Sequence, residues 1–183
     1  MGYPMKSQQK ENQPDDERFL FGLVLFDSKD EESKIQEAIE SVYKIDYPAN
    51  KIKIIICSYL SKDKNPDHYV NYANILLQKF RHTRLLLNHS LERNDDVDHN
   101  AFILCKHADY LVRMNHNQTI SSDIFKKVSK KNFDKQYIIK DGSTLVIPTK
   151  IVSKNYLDFN DYEKMSEYLL EQAKDNNSLQ NIQ

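Results

Sequence analysis

The chain has no tryptophan, and its 183 residues include only three glycines and two cysteines. Three scattered glycines cannot build the glycine-rich loop that brings backbone N–H groups against a phosphate, so phosphate-loop and dinucleotide fingerprints are excluded. Two cysteines are too few for a disulfide-stapled scaffold. Cys57 and Cys105 instead fall on apolar faces of an expected strand and an expected helix, which reads as reduced core thiols in a cytoplasmic protein. No apolar run approaches the roughly 20 residues that span a bilayer, and the N-terminus is too polar for a signal peptide, so no transmembrane segment is expected. Charge of one sign is also missing. With 26 basic and 27 acidic residues the net charge is -1, and no whole-molecule field draws nucleic acid or an anionic membrane.

What is present is a regular alternation of two kinds of apolar pattern. Residues 1–18 carry no apolar period and read as a disordered arm. Phe19 to Phe26 is a continuous apolar run, as expected of a strand buried on both faces. Ile35, Ala38, Ile39, Val42 and Tyr43 recur at helical spacing, with Asp30, Glu31 and Glu32 at the positive end of that helix and Asp46-Tyr47-Pro48 as its stop. Lys53 to Cys57 is a second buried strand. Asn65-Pro66 then supplies a cap and a first-turn proline for a helix whose stripe is Tyr69, Ala73, Leu76, Leu77 and Phe80. Thr83 to Leu87 is a third strand.

Val97, Ala101, Leu104, Cys105 and Ala108 predict a helix that feeds directly into a strand from Tyr110 to Met114. A short helix through Val128 follows a serine cap. Tyr137 to Ile139 and Thr144 to Ile147 flank the turn signal Asp141-Gly142, which predicts a hairpin at the periphery of the sheet. Tyr162, Met165, Leu169 and Ala173 form the last stripe, with Asn160 or Asp161 as cap. Strands alternating with helices predict an α/β three-layer sandwich around a mostly parallel sheet, one domain over residues 19–174, with 175–183 as a flexible tail.

Four polar side chains, Asn115, His116, Asn117 and Gln118, stand where the Tyr110 to Met114 strand should end. In open α/β sheets ligands bind in the crevice beyond the carboxyl ends of the strands, so this tip is the first place to look for chemistry.

Several stretches, in order, resemble the inverting glycosyltransferases of the family-2 type. Ala38-Ile-Glu-Ser-Val42 with Asp46-Tyr-Pro48 is similar to the family's first helix and its proline stop, and Lys53-Ile-Ile-Ile-Cys57 to its second strand. Asn100-Ala101, Ala108-Asp-Tyr110 and Asp123 resemble the segments around its metal motif. The resemblance covers roughly residues 20 to 173. It implies a short variant of the GT-A fold, a nucleotide-sugar donor as ligand, and a donor crevice at Ser28, Asp30, Ser58, Asp63, Asn115 and Asn117.

At the functional positions the sequence departs from the family. The Thr-Tyr-Asn of the first loop is Ser28-Lys29-Asp30. The Asp-Asp-Gly-Ser-Thr-Asp after the second strand is Ser58-Tyr-Leu-Ser-Lys-Asp63, so Ser58 replaces the carboxylate that holds the base. The Asp-x-Asp metal motif is Asn115-His116-Asn117, and the acid after it is Gln118. Only the position of the catalytic base keeps its acid, as Asp161 in Asn160-Asp-Tyr-Glu163. Hard divalent cations take anionic oxygen ligands, and an asparagine carbonyl is neutral, so neither manganese nor magnesium is expected as a cofactor.

Each of these residues also has a plain structural reading. A lone histidine between two amides is more often hydrogen-bonded or solvated than ligating. Asp161 and Asp30 are equally at home as helix caps. The run Asp95, Asp96, Asp98 with His99 is the usual composition of a solvated loop, and Lys29 and Lys62 of a solubilising surface. Two functions therefore stand against each other: a binding or assembly module on a glycosyltransferase scaffold, with a protein partner, and an active transferase with little or no metal dependence in which Asp161 is the general base.

Overall fold

A computed structural model of the chain describes residues 20–27, 35–59, 65–88, 100–129, 138–152, 162–175 and 178–181. Seven strands form one sheet: β1 (Phe21–Phe26), β2 (Ile52–Tyr59), β3 (Thr83–Asn88), β4 (Tyr110–Asn115), β5 (Ile138–Asp141), β6 (Thr144–Pro148) and β7 (Leu179–Asn181). Their order is β3-β2-β1-β4-β6-β5-β7, and the pairings leave every strand parallel except β6. The first strand is thus interior. Its six residues are all buried, as a strand covered on both faces requires.

The four described helices are α1 (Ile35–Tyr43), α2 (Pro66–Leu77), α3 (Ile124–Ser129) and α4 (Tyr162–Asp175), with short helical turns at 100–104 and 149–152. Alternation along each strand divides the core between the two faces of the sheet. Phe21, Leu23 and Leu25 of β1, with Ile52, Ile54 and Ile56 of β2, pack against Ile35, Ala38, Ile39 and Val42 of α1, Tyr69, Ala73 and Leu76 of α2, and Ile124, Phe125 and Val128 of α3. Val24, Phe26, Ile55 and Cys57 face the other way, against Ala101, Phe102, Cys105 and Met165, Leu169 and Ala173 of α4. Helices on both faces make the three-layer sandwich expected from the sequence.

The caps and stops act locally. Asn65 Oδ1 accepts from the Asp67 N–H at 3.0 Å, and Pro66 opens α2, its missing N–H costing nothing in a first turn. Beyond α1, the Asp46 N–H donates to the Ser122 carbonyl at 2.8 Å, which ties the segment before Pro48 to the entrance of α3.

Several expectations are corrected. The hairpin is not peripheral: β6 pairs with β4, β5 is flanked by β7, and the loop residues are Gly142 and Ser143, since Asp141 and Thr144 face each other. Gly142 takes φ +57°, a left-handed conformation that suits glycine. The stretch expected as a tail supplies β7, which pairs in parallel with β5. Tyr43, Leu77 and Leu104, counted in apolar stripes, are exposed, and Phe102 takes the buried position on the 100–104 turn. The helical turn there ends at 104, with Cys105 already beyond it. No helix among the described residues is long and apolar enough to cross a membrane.

Candidate functional site

The parallel strands β2, β1 and β4 are neighbours, and their register sets Cys57, Phe26 and Asn115 side by side. One residue further, Asp27 leaves β1, its N–H donating to the Cys57 carbonyl at 2.9 Å, while Ser58 is still paired with Leu87 of β3. The fold therefore brings Ser58 and Asn115, both expected at the site, to the same end of the two strands that flank β1. Asn117 lies just beyond, exposed in the turn after β4. Ser28, Asp30, Asp63 and Asp161 lie outside the described residues, as do Lys29, Lys62 and the acidic run around Asp96.

Two polar clusters occupy this end, one on each face of the sheet. On the α1 and α2 side, Asp27, Ser58 and Tyr69 are all buried. The Tyr69 hydroxyl donates to Asp27 Oδ2, so the buried carboxylate is compensated by a hydrogen bond from α2. Burial, reinforced by the bond to Asp27, pushes the Tyr69 phenol far above its ordinary range, which keeps it a donor. Ser58 Oγ, beside Tyr69, is fully buried without a hydrogen-bond partner of good geometry among the described residues.

On the opposite face, Arg113 lies two residues before Asn115 on β4 and so shares its side of the strand. Its Nη1 donates to Asn115 Oδ1 at 2.7 Å, and its guanidinium sits 4.2 Å from the centre of the Phe26 ring. Gln118 closes the tip: its Oε1 accepts from the Asn115 N–H at 2.9 Å, and its own N–H donates to the Asn115 carbonyl at 3.0 Å. Both the side chain and the backbone of Asn115 are thereby held by residues within five positions of each other. Among the described residues no group of three or more His, Cys, Asp or Glu side chains is placed to hold a metal ion.

The chain's strand order, its interior first strand and the polar tip of β1, β2 and β4 have counterparts to be sought among known proteins. Neither a family model nor a curated protein sequence matches the chain. Solved structures do. The 1-349 fragment of S. aureus TarS superposes with a TM-score of 0.57 at 12% identity, over 73% of this chain and 48% of that one. The mannosyltransferase PcManGT from Pyrobaculum calidifontis, in complex with GDP-Man and Mn2+, gives 0.58 at 14% identity, over 73% of this chain and 46% of that one. The fold is GT-A-like. The same TarS fragment in complex with UDP-GlcNAc matches with a TM-score of 0.57 at 12% identity, over 74% and 47% of the two chains. At such identities the likeness concerns the glycosyltransferase fold alone, and the chain spans about half the length of these structures.

Within the GT-A-like fold, sequence reasoning missed three members of the strand tip: Asp27, Tyr69 and Arg113. A signal existed for Arg113, the one charged residue inside the buried run of β4. For Asp27 the signal was its position directly after six buried residues, where a carboxylate needs a partner. Tyr69 carried none, because a tyrosine in an apolar stripe is ordinarily core.

Proposed function

We propose that the chain is a glycosyltransferase-like domain whose strand-tip site no longer takes a divalent cation, and which acts as a binding or assembly module in place of standard metal-dependent sugar transfer. The observation that carries this reading is the bond from Arg113 to Asn115. In the resemblance to family-2 enzymes Asn115 stands at the first position of the metal motif, and here its side-chain oxygen accepts from a guanidinium at 2.7 Å. A cation arriving at that oxygen would meet a neutral amide already engaged and a positive charge beside it, a doubly unfavourable exchange for a hard ion that seeks anionic oxygens. The neighbouring donors, His116, Asn117 and Gln118, add no carboxylate. Residues 115–118 at the strand tip do not fit a magnesium or manganese site.

The ligand class this crevice supports is a nucleotide diphosphate or its sugar. Solved structures of this fold are complexes with UDP, UDP-GlcNAc and GDP-Man. Asn115 and Asn117, with Ser28, Asp30 and Asp63, are the proposed lining, and Ser58, buried with Asp27 and Tyr69, backs the strand tip from the other face of the sheet. A protein partner is the other ligand of a module of this kind. Retention of an acid at Asp161 favours one second reading, transfer from a nucleotide sugar without metal, with Asp161 as general base toward an acceptor hydroxyl.

Titration calorimetry with uridine, guanosine and thymidine diphosphates, each with manganese and with a chelator, tests the proposal. Binding that manganese does not change is the expected result. Micromolar binding that depends on manganese would overturn it.

A further inference from the structure

A second concave surface lies at the other end of the sheet. Ala49, Asn50, Lys79, Arg81 and His82 line a cleft of about 370 Å³. It is bounded by the 3-10 turn Ala49–Lys51, which leads into β2, and by the turn between α2 and β3. β2 starts here at Ile52 and reaches the strand tip at Ser58, so at about 3.3 Å per residue the two sites are roughly 20 Å apart.

The cleft is built on fixed backbone. The Ile54 N–H donates to the His82 carbonyl at 3.0 Å, the Phe80 N–H to the Leu76 carbonyl at 2.7 Å, and Thr83 Oγ1 to the Phe80 carbonyl at 2.8 Å. Lys79 is held as well: its ammonium donates to the carbonyls of Tyr43 and Ile45 at 2.8 and 2.5 Å and lies 5.6 and 5.1 Å from the Tyr43 and Phe80 rings. Carbonyls and rings fix the ammonium in place, and it also lies within electrostatic reach of Asp46, whose pKa is lowered by Lys126 first and by Lys79 to a lesser degree. Arg81 is exposed beside it, and none of the lining side chains is acidic. Asp46, the acid on the segment that leads to this turn, is ion-paired with Lys126.

A chain of net charge -1 has here gathered an ammonium, a guanidinium, an imidazole and an amide in one cavity. Lysine offers a point charge and arginine a planar fork that matches two phosphate oxygens, while the Asn50 amide adds a neutral donor. We propose that this cleft binds a compact phosphorylated small molecule, at a site separate from the strand-tip crevice and independent of what that crevice holds. The volume exceeds that of a bare phosphate and accommodates a group the size of a sugar ring.

The test is a titration of the full chain with inorganic phosphate, followed through backbone amide resonances, with ionic strength held constant by sodium chloride. Saturable shifts at residues 50–51 and 79–83 are expected. In Arg81→Glu they should need at least tenfold more phosphate, whereas Lys150→Glu, a charge change on an exposed side chain that does not line the cleft, should leave them unaltered. Shifts that fail to saturate, that are indifferent to Arg81→Glu, or that are confined to residues 115–118 would overturn the proposal. Should the amide spectrum show Arg81→Glu misfolded, Arg81→Gln replaces it, with a weakening of at least threefold expected and an unchanged titration counting against the site.

Discussion

Gly22 and Cys105 meet on one face of the sheet so closely that a Cβ added to Gly22 would lie 2.8 Å from Cys105 Cβ and 3.0 Å from its Sγ, with Ala108 Cβ at 3.4 Å. β1 is an interior strand, and this contact lets the segment before β4 lie flat against it. Gly22→Ala should therefore destabilise the protein by about 1–3 kcal/mol, the ordinary cost of forcing an extra methyl into a packed core. Urea denaturation checks it: a midpoint equal to that of the natural chain would show that the 105–108 segment can move aside.

The Cys105 thiol is 1% exposed, and burial pushes its pKa up to about 12 from 9.0. The folded state thus holds the proton more tightly than the unfolded state. This contribution is fully present below pH 9 and is lost as the pH rises from 9 toward 12, by at most about 1.4 kcal/mol per pH unit. Cys105→Ala should flatten that part of the stability curve. Melting temperatures of the two proteins between pH 8 and pH 11 should diverge, with the natural chain falling faster; parallel curves would contradict the assignment.

Tyr69 and Asp27, 42 residues apart in sequence, form the polar floor of the strand tip. Tyr69→Phe keeps the ring and removes the donor, leaving a buried carboxylate short of one hydrogen bond. A loss of about 1–3 kcal/mol is expected, larger than the effect of the same change at the exposed Tyr43. Chemical denaturation of the two single variants side by side makes the comparison.

Asn115→Asp with Asn117→Asp would place two carboxylates at the tip of β4. Because Arg113 donates to residue 115, the first new carboxylate should pair with that guanidinium instead of with a cation. A bound ion present at 100 times its dissociation constant would stabilise the protein by about 2.7 kcal/mol. Thermal melts of the double variant across a manganese titration should show no such gain. A stabilisation of that size would mean that Arg113 does not keep a cation from paired carboxylates at this tip.

Most strands and helices were legible in the sequence because their causes are local, whereas β7 and the helical turns at 49–51 and 149–152 were not. An eight-residue apolar run from Phe19 to Phe26, a 3.6-residue stripe from Ile35 to Val42, and Asn65 ahead of Pro66 each act within a few residues of themselves. The tip of β4 was legible for the same reason, since a polar cluster directly after a buried strand can only stand at its end. Strand order was decided by the tertiary structure: nothing between Asp141 and Thr144 says that β6 should insert between β4 and β5, or that residues 179–181 should close the sheet beside β5. Those choices follow from which apolar faces are left to cover once β1, β2 and β4 have paired, a global condition that no local window contains. The candidate site shows the same division. Asn115 and Asn117 stand out by following a buried strand, and Ser58 is singled out only by the family resemblance, whereas the Arg113 guanidinium on Phe26 and the Tyr69 hydroxyl on Asp27 exist only because pleat and crossover bring distant side chains to one end of the sheet.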